Sequence, residues 1–217
     1  MSLWLDFLTN QDLLIHKWKH YFPIYEQHMR RFQGQDVLMF EIGVSQGGSL
    51  RMWKRFLGPH ARIVGIDIDP RSAPAAEDQV EVRIGDQSDP AFLQSLIDEF
   101  GVPDVVLDDG SHRMDHVNAS FDFLYPLLPK NGVYMVEDMH TAYWEEYGGG
   151  VGVPGSFIER CKGLIDSLNA DHARGALPSD EFTRSTRSMH FYDSFVVFEK
   201  GATTGKHAPR VGKPLFE

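Results

Sequence analysis

Short apolar runs ending in glycine or carboxylates alternate along the chain with longer stretches whose apolar positions recur every three or four residues. The short runs are DVLMFEIG (36–43), RIVGIDID (62–69), VEVRIGD (80–86), PDVVLDDG (103–110) and GVYMVED (132–138). Between them lie SLRMWKRFLG (49–58), AFLQSLIDEF (91–100) and a helical stretch over about 115–128. The second of these opens on Asp89-Pro90, an N-cap and first helical residue. Apolar runs of about four to eight residues separated by helices of about ten predict βαβ units, hence a parallel sheet covered on both faces. Near the C-terminus, SMHFYDSFVVFEKG (188–201) reads as two strands around a Tyr-Asp-Ser turn, an antiparallel hairpin closing the sheet edge. The predicted fold is α/β: a Rossmann-like, doubly wound, mostly parallel seven-stranded sheet with that hairpin and short N-terminal helices.

The N-terminal segment QDLLIHKWKHYFPIYEQHMRRF mixes aromatic and basic residues at roughly helical spacing and is interrupted at Pro23. It predicts two short helices over about 11–33, whose aromatics are packing residues, with a lid or a subunit interface as the alternative. The expected organisation is a helical extension over 1–35, one domain over 36–201, and a flexible polar tail over 202–217.

In a doubly wound sheet, ligands bind beyond the carboxyl ends of the strands, so strand ends carry the candidate chemistry. The first run ends in Glu41-Ile-Gly43-Val-Ser45-Gln-Gly47-Gly48-Ser49 before a helix, where glycines allow close ligand approach and the helix start favours a negative group. Neither G-x-G-x-x-G nor a P-loop lysine is present. Asp67 and Asp69 end the second run, and a carboxylate there can accept both hydroxyls of a ribose. The third run ends in Asp86-Gln87-Ser88, polar groups able to reach a base edge.

The fourth and fifth runs end in Asp108-Asp109-Gly110-Ser111-His112 and Glu137-Asp138-Met139-His140. Adjacent strands lie about 4.8 Å apart, so Asp109, Glu137 and Asp138 can converge if these strands are neighbours. Three carboxylates repel one another unless a cation sits among them, and all-oxygen ligands select a hard ion, Mg²⁺ before Mn²⁺ or Ca²⁺. Helix capping and loop anchoring is the bland alternative. His112, three residues past Asp109, suits a general base. A zinc reading of His112 and His116 lacks the glutamate of H-E-x-x-H. Cys161 falls within the helical stretch FIERCKGLIDSL as a packing residue. After the fifth run, His140, Tyr143 and Trp144 lead through Tyr147 into Gly148-Gly149-Gly150, which reads as a mobile lid with a stacking surface or as an ordinary loop.

Charge narrows the partners. The chain has 31 acidic and 21 basic residues, a net −10 at pH 7, which argues against nucleic acid or an anionic membrane and for a neutral or cationic partner. A single cysteine, no basic leader-like start and no apolar run near the roughly 20 residues of a membrane span point to a cytoplasmic chain.

The ordered segments EIGVSQGGS, GIDID, GDQSD, LDDGSH and VEDMHTAYW resemble the class I S-adenosylmethionine-dependent methyltransferases. Among these the chain is similar to the metal-dependent sugar O-methyltransferases of macrolide biosynthesis and to their cephalosporin hydroxylase-like relatives. The resemblance covers about residues 36–200, and its most specific part is DDGSH followed after 28 positions by ED. It implies that Gly43, Ser45 and Ser49 hold the methionine part of S-adenosylmethionine, with Glu41 also among the cofactor-binding residues. It further implies Asp67 at the ribose, Asp86 and Gln87 at the adenine, and Asp108 at the amino group. Asp109, Glu137 and Asp138 would hold Mg²⁺ and His112 would be the base; His140, Tyr143 and Trp144, read as lid residues, are the candidate contacts of the acceptor, for which sugars and catechol-like rings both fit. The macrolide enzymes carry a further N-terminal domain where this chain has about 35 residues.

The expected activity is therefore methyl transfer to a hydroxyl of a sugar or glycosylated natural product. The alternatives are a catechol-type O-methyltransferase, a non-haem iron hydroxylase and a non-catalytic cofactor-binding partner. The iron reading wants two histidines and one carboxylate, whereas the convergent residues here are mainly carboxylates.

Overall fold

The computed structural model describes residues 2–201 and 206–216. Helix α1 (Leu3–Leu8) is capped by Ser2, whose hydroxyl accepts from the Leu5 amide, and α2 spans Phe22–Met29. Strand β1 (Leu38–Ile42) is followed by α3 (Gly48–Leu57) and β2 (Arg62–Asp67). Next come β3 (Val80–Ile84), α4 (Pro90–Phe100) and β4 (Val105–Asp108). The chain continues through α5 (Met114–Leu127), β5 (Val133–Val136), α6 (Phe157–Asn169) and the short α7 (Glu181–Ser185). It closes with the hairpin β6 (Thr186–Tyr192) and β7 (Phe195–Lys200).

The strands form one sheet in the order β3-β2-β1-β4-β5-β7-β6. β1 to β5 run parallel, and β7 pairs antiparallel with both β5 and β6. The Tyr-Asp-Ser turn closes the hairpin as the sequence predicts, with Ser194 left-handed at φ 58°.

Period-two alternation divides the core. Val37, Met39, Val105, Leu107, Val133, Met135, Phe195 and Val197 face the layer holding α1, α2 and α3, with Trp53, Tyr21 and Tyr25 at its centre. Leu38, Phe40, Val106, Tyr134, Val136, Val196 and Phe198 face α4, α5 and α6, with Phe121, Phe157 and Cys161. Cys161 is fully buried, and burial pushes its thiol up to about 12, which agrees with the packing role read from the sequence.

The N-terminal reading needs correction. Only one α-helix lies within 11–33; the other precedes it at Leu3–Leu8, and residues 11–18 cross the molecule as an irregular strap. Pro23 does not break a helix but stands in the first turn of α2, where its missing N–H costs nothing. Of the tail expected over 202–217, residues 202–205 and 217 lie outside the described residues. Residues 206–216 contain no helix or strand, and Lys206 pairs with Asp171 at 2.9 Å. No described helix is long and apolar enough to cross a membrane.

Candidate functional site

Reversal of strand order between β1 and β4 opens a crevice at the carboxyl ends of the strands, where this architecture binds ligands. A cavity of about 830 Å³ fills it, walled by the ends of β1 to β4 and, on the far side, by Leu13 to Lys17 of the strap. Gly43 makes the crevice: at φ +93° it admits the next chain, since a Cβ there would lie 2.1 Å from the Asp109 carbonyl oxygen. The glycines after β1 thus serve chain-to-chain packing as well as ligand access.

The residues expected at a cofactor fall into two groups. Gly43, Ser45, Ser49, Asp67, Asp86 and Gln87 line the cavity. Asp67 also organises the turn that follows β1, because one of its oxygens accepts from both the Val44 and Ser45 amides at 2.9 Å. Its other oxygen accepts from the Asp69 amide, which leaves about one lone-pair site for a ribose hydroxyl. Asp86, by contrast, is half exposed and spends only one oxygen, on Ser88, whose hydrogen bonds hold its carboxyl below the usual range. The Gln87 amide is committed to the scaffold, donating to Asp108 at 3.0 Å and accepting from the Ser111 amide at 2.8 Å, which leaves Asp86 the less engaged of the two.

Glu41 and Asp108 do not line the cavity. Glu41 shares the inward face of β1 with Met39 and is fully buried. It accepts from the Ser49 hydroxyl at 3.0 Å, and burial pushes its carboxyl up against the opposing pull of Lys17. Asp108 lies on the other face with Val106 and Tyr134, buried beneath α5. There it accepts from Ser120 at 2.6 Å, Gln87 at 3.0 Å and Tyr134 at 3.2 Å. Strand alternation thus places Asp108 among these side chains rather than in the cavity lining.

Where β4 and β5 lie side by side, Asp109, Glu137, Asp138 and His112 gather just beyond their last residues. His112 and Asp138 both adopt left-handed backbone, at φ 57° and 51°, a strained state that clusters at functional sites. Nε2 of His112 sits 3.9 Å from Asp109 and 3.7 Å from Asp138, too far for hydrogen bonds, so it is unengaged by either carboxylate. Asp109, His112 and Asp138 offer donor atoms that all lie within 4.8 Å of one another. Asp138 is fixed by the Tyr21 hydroxyl, which donates to it at 2.8 Å.

Glu137 is the most buried of the three expected carboxylates. It is buried, and one of its oxygens accepts from the Tyr25 hydroxyl at 2.6 Å and from Lys17 at 2.9 Å. Lys17 also reaches Asp109 at 2.6 Å and Glu41 at 3.5 Å. Burial works against its charge, but the attraction of Asp109, Glu137 and Glu41 outweighs burial and holds the ammonium well above its usual range. Lys17, Tyr21 and Tyr25 are the site residues that sequence reasoning missed. The one available signal was the need for a countercharge among four carboxylates, and the chain supplies it from 92 and 120 positions away.

His140 and Tyr143 line a second, smaller cavity of about 260 Å³ with Tyr192 and Ser194. The Trp144 ring packs on His140 at 4.8 Å and on Tyr147 at 5.9 Å, and Tyr147 lies 6.4 Å from His112. Tyr143 and Trp144 are 48% and 44% exposed, which leaves their rings available for stacking. The triple glycine does not form an open hinge: Gly149 and Gly150 are buried and donate to the Trp144 and Ala142 carbonyls at 2.9 Å.

A seven-stranded sheet of this order, with a ligand crevice at the first glycine-rich turn, is the class I methyltransferase architecture. A family model described as a methyltransferase domain matches residues 40–139. Demethylmacrocin O-methyltransferase of Streptomyces fradiae is 36% identical over 216 residues, covering 92% of this chain and 54% of that protein. Mycinamicin VI 2''-O-methyltransferase of Micromonospora griseorubida is 37% identical over 201 residues, covering 84% of this chain and 48% of that protein. The solved structure of MycE methyltransferase from the mycinamycin pathway, in complex with Mg, SAH and mycinamycin VI, superposes with a TM-score of 0.81 at 34% identity. That match covers 95% of this chain and 54% of the MycE chain. The chain carries a class I methyltransferase domain and resembles the metal-dependent sugar O-methyltransferases of macrolide biosynthesis. It spans about half the length of the curated relatives it matches.

Proposed function

We propose that the chain is an Mg²⁺- and S-adenosylmethionine-dependent O-methyltransferase whose acceptor is a hydroxyl of a sugar or glycosylated natural product. The observation that carries this reading is one juxtaposition: a carboxylate-lined cavity at the sheet's switch point opens onto the unengaged Nε2 of His112 between Asp109 and Asp138. Its volume falls within the roughly 300–1,000 Å³ of small-molecule sites. Its acidic lining, Asp67, Asp69, Asp86, Asp109 and Asp138, suits a ligand that carries a positive sulfonium. The named relatives that act on sugar-bearing macrolides support the acceptor class.

The donor chemistry fits a hard divalent cation. Asp109 and Asp138 are 19% and 22% exposed at the cavity and present oxygen ligands, the type Mg²⁺ prefers over imidazole. A bound Mg²⁺ there would lower the pKa of an acceptor hydroxyl, and S-adenosylmethionine would supply the methyl group. The chain's own part is positioning and proton transfer. His112 accepts the acceptor's hydroxyl proton at Nε2, and the two nearby carboxylates stabilise the imidazolium that results. Tyr21 keeps Asp138 in place, Asp67 holds the turn after β1, and the Leu13 to Lys17 wall limits water access. His140, Tyr143 and Trp144 offer the acceptor a ring-stacking surface.

The test is a thermal-shift screen followed by transfer from labelled S-adenosylmethionine to a panel of glycosides and catechols. S-adenosylhomocysteine should stabilise the protein, NAD should not, and label should reach glycosides in an Mg²⁺-dependent way. Stabilisation by NAD alone would reject the methyltransferase reading, and transfer to catechols alone would move the acceptor to the catechol class.

A further inference from the structure

The turn that closes the β6-β7 hairpin also grips the loop after β5. The carbonyl of Ser194 accepts from the Tyr21 hydroxyl and from the Met139 amide, both at 3.0 Å. Its side chain holds His140 twice: Oγ accepts from the His140 amide at 3.2 Å and lies within hydrogen-bond distance of His140 Nδ1.

Proton accounting decides which way the second bond runs. A hydroxyl has one proton and two lone pairs, and a neutral imidazole has one N–H and one bare nitrogen. The His140 amide can only donate, so it takes one Oγ lone pair. Among the described residues the Ser194 hydroxyl has no acceptor other than Nδ1. The nearest carboxylate to Nδ1, Oδ1 of Asp138, is 4.0 Å away and already accepts from Tyr21. Every group is used when the hydroxyl donates to a bare Nδ1, which leaves the ring proton on Nε2.

Nε2 of His140 has no protein partner among the described residues. The ring is 30% exposed, lies 4.8 Å from the Trp144 ring and 6.2 Å from that of Trp18, and lines the cavity of about 260 Å³. That volume is below the roughly 300–1,000 Å³ of whole small-molecule sites, so it suits one part of a larger ligand. Tyr143, Ile158 and Phe191 supply its apolar walls, and the exposed Asp193, its one carboxylate, supplies acceptors.

Resting on the O-methyltransferase reading above, we propose that Ser194 fixes His140 as the Nε2–H tautomer, so that the ring presents a hydrogen-bond donor to a neutral oxygen of the acceptor seated in this smaller cavity. Ser194 is a positioning residue that acts through His140. A donor at His140, acceptors at Asp193 and aromatic faces between them match an uncharged ring bearing several oxygens, as a sugar does.

Imidazole ¹⁵N NMR on histidine-labelled protein reads the tautomer without turnover, at about pH 8, above the ordinary imidazole pKa of about 6.5. The His140 signals are identified by their loss in H140Q. Wild type should show a bare Nδ1 and a protonated Nε2. S194G removes the hydroxyl at a left-handed φ of 58° that glycine adopts freely, and it should populate both tautomers. S194A repeats the deletion should S194G loosen the turn. With a glycoside found in the labelled-transfer panel, the serine variant should raise acceptor KM about two- to tenfold, the scale of one hydrogen bond, with kcat within about twofold. A protonated Nδ1 in wild type, or an unchanged tautomer in both serine variants, overturns the assignment. The expected tautomer with unaltered KM overturns the recognition of the acceptor. If no glycoside is methylated, the functional reading falls and the recognition role with it, while the spectra still decide whether Ser194 sets the tautomer.

Discussion

His112 shows how much a single backbone state can do. Its φ of 57° turns the imidazole back toward the ends of β4 and β5, and Asp138 at φ 51° meets it from the other side. Left-handed backbone in residues other than glycine costs about 1–3 kcal/mol each, which surrounding structure has to offset. Asp138 receives that support from the Tyr21 hydroxyl. His112→Ala should lower turnover by about 10²–10⁴ while S-adenosylhomocysteine affinity, measured by calorimetry, stays unchanged. An unaltered turnover would remove the base role. Adjacent residues also show where residue-level reading stops. Asp108 and Asp109 look equivalent in the sequence, yet one is sealed beneath α5 and the other reaches the cavity. Alternation along a strand sets their opposite directions, but which face carries the site depends on what packs on each.

At the level of elements, the glycine-rich turn after β1 was legible as a ligand-facing feature, and its second use was not. Gly48 accommodates the strap, a contact between residues more than 30 positions apart that leaves no local signature. In an ordinary helix, Gly to Ala stabilises by about 0.5–1 kcal/mol. Here Gly48→Ala should instead destabilise by about 1–3 kcal/mol, the usual cost of overpacking, and lift the strap. Limited trypsinolysis should then cut after Lys17, whose side chain is buried in the native protein. Wild-type resistance at that bond would count against a displaced strap. The loop after β5 makes the complementary point: three consecutive glycines suggest an open hinge, but Gly149 approaches the Ala142 carbonyl so closely that a Cβ would sit 2.4 Å away. Glycine there serves close packing.

For the molecule as a whole, part of the net charge of −10 is concentrated where strands end, and a second part holds the hairpin to the N-terminal helices. Glu199 on β7 is buried and pairs with His28 at 2.6 Å, Arg31 at 3.0 Å and Arg187. Burial alone would raise its carboxyl, but the hydrogen bonds from His28, Arg187 and Arg31 win and hold it well below the usual range. A carboxyl depressed in the folded state contributes stability that is complete above its unfolded pKa of about 4.3 and is lost as pH falls below it. Glu199→Gln should therefore cost about 2–3 kcal/mol at pH 7, less than a fully buried pair because both arginines are partly exposed. Urea denaturation of the two proteins should show that difference shrinking between pH 5 and pH 3. A gap that widened on acidification would contradict the sign.

The sequence alone determined the parallel sheet, the closing hairpin and the residues at the strand ends, because these follow from local periodicity and from turn chemistry within a few positions. It also placed carboxylates at the ends of the fourth and fifth runs, which meet on condition that those strands are neighbours, and the sheet order supplies that condition. Only the tertiary structure decided which of those carboxylates face a cavity, that Glu137 is held by Lys17 and Tyr25, and that residues 11–18 close the crevice as a strap rather than a helix. Those outcomes depend on contacts across about a hundred positions, which set three carboxylates around the buried Lys17 ammonium.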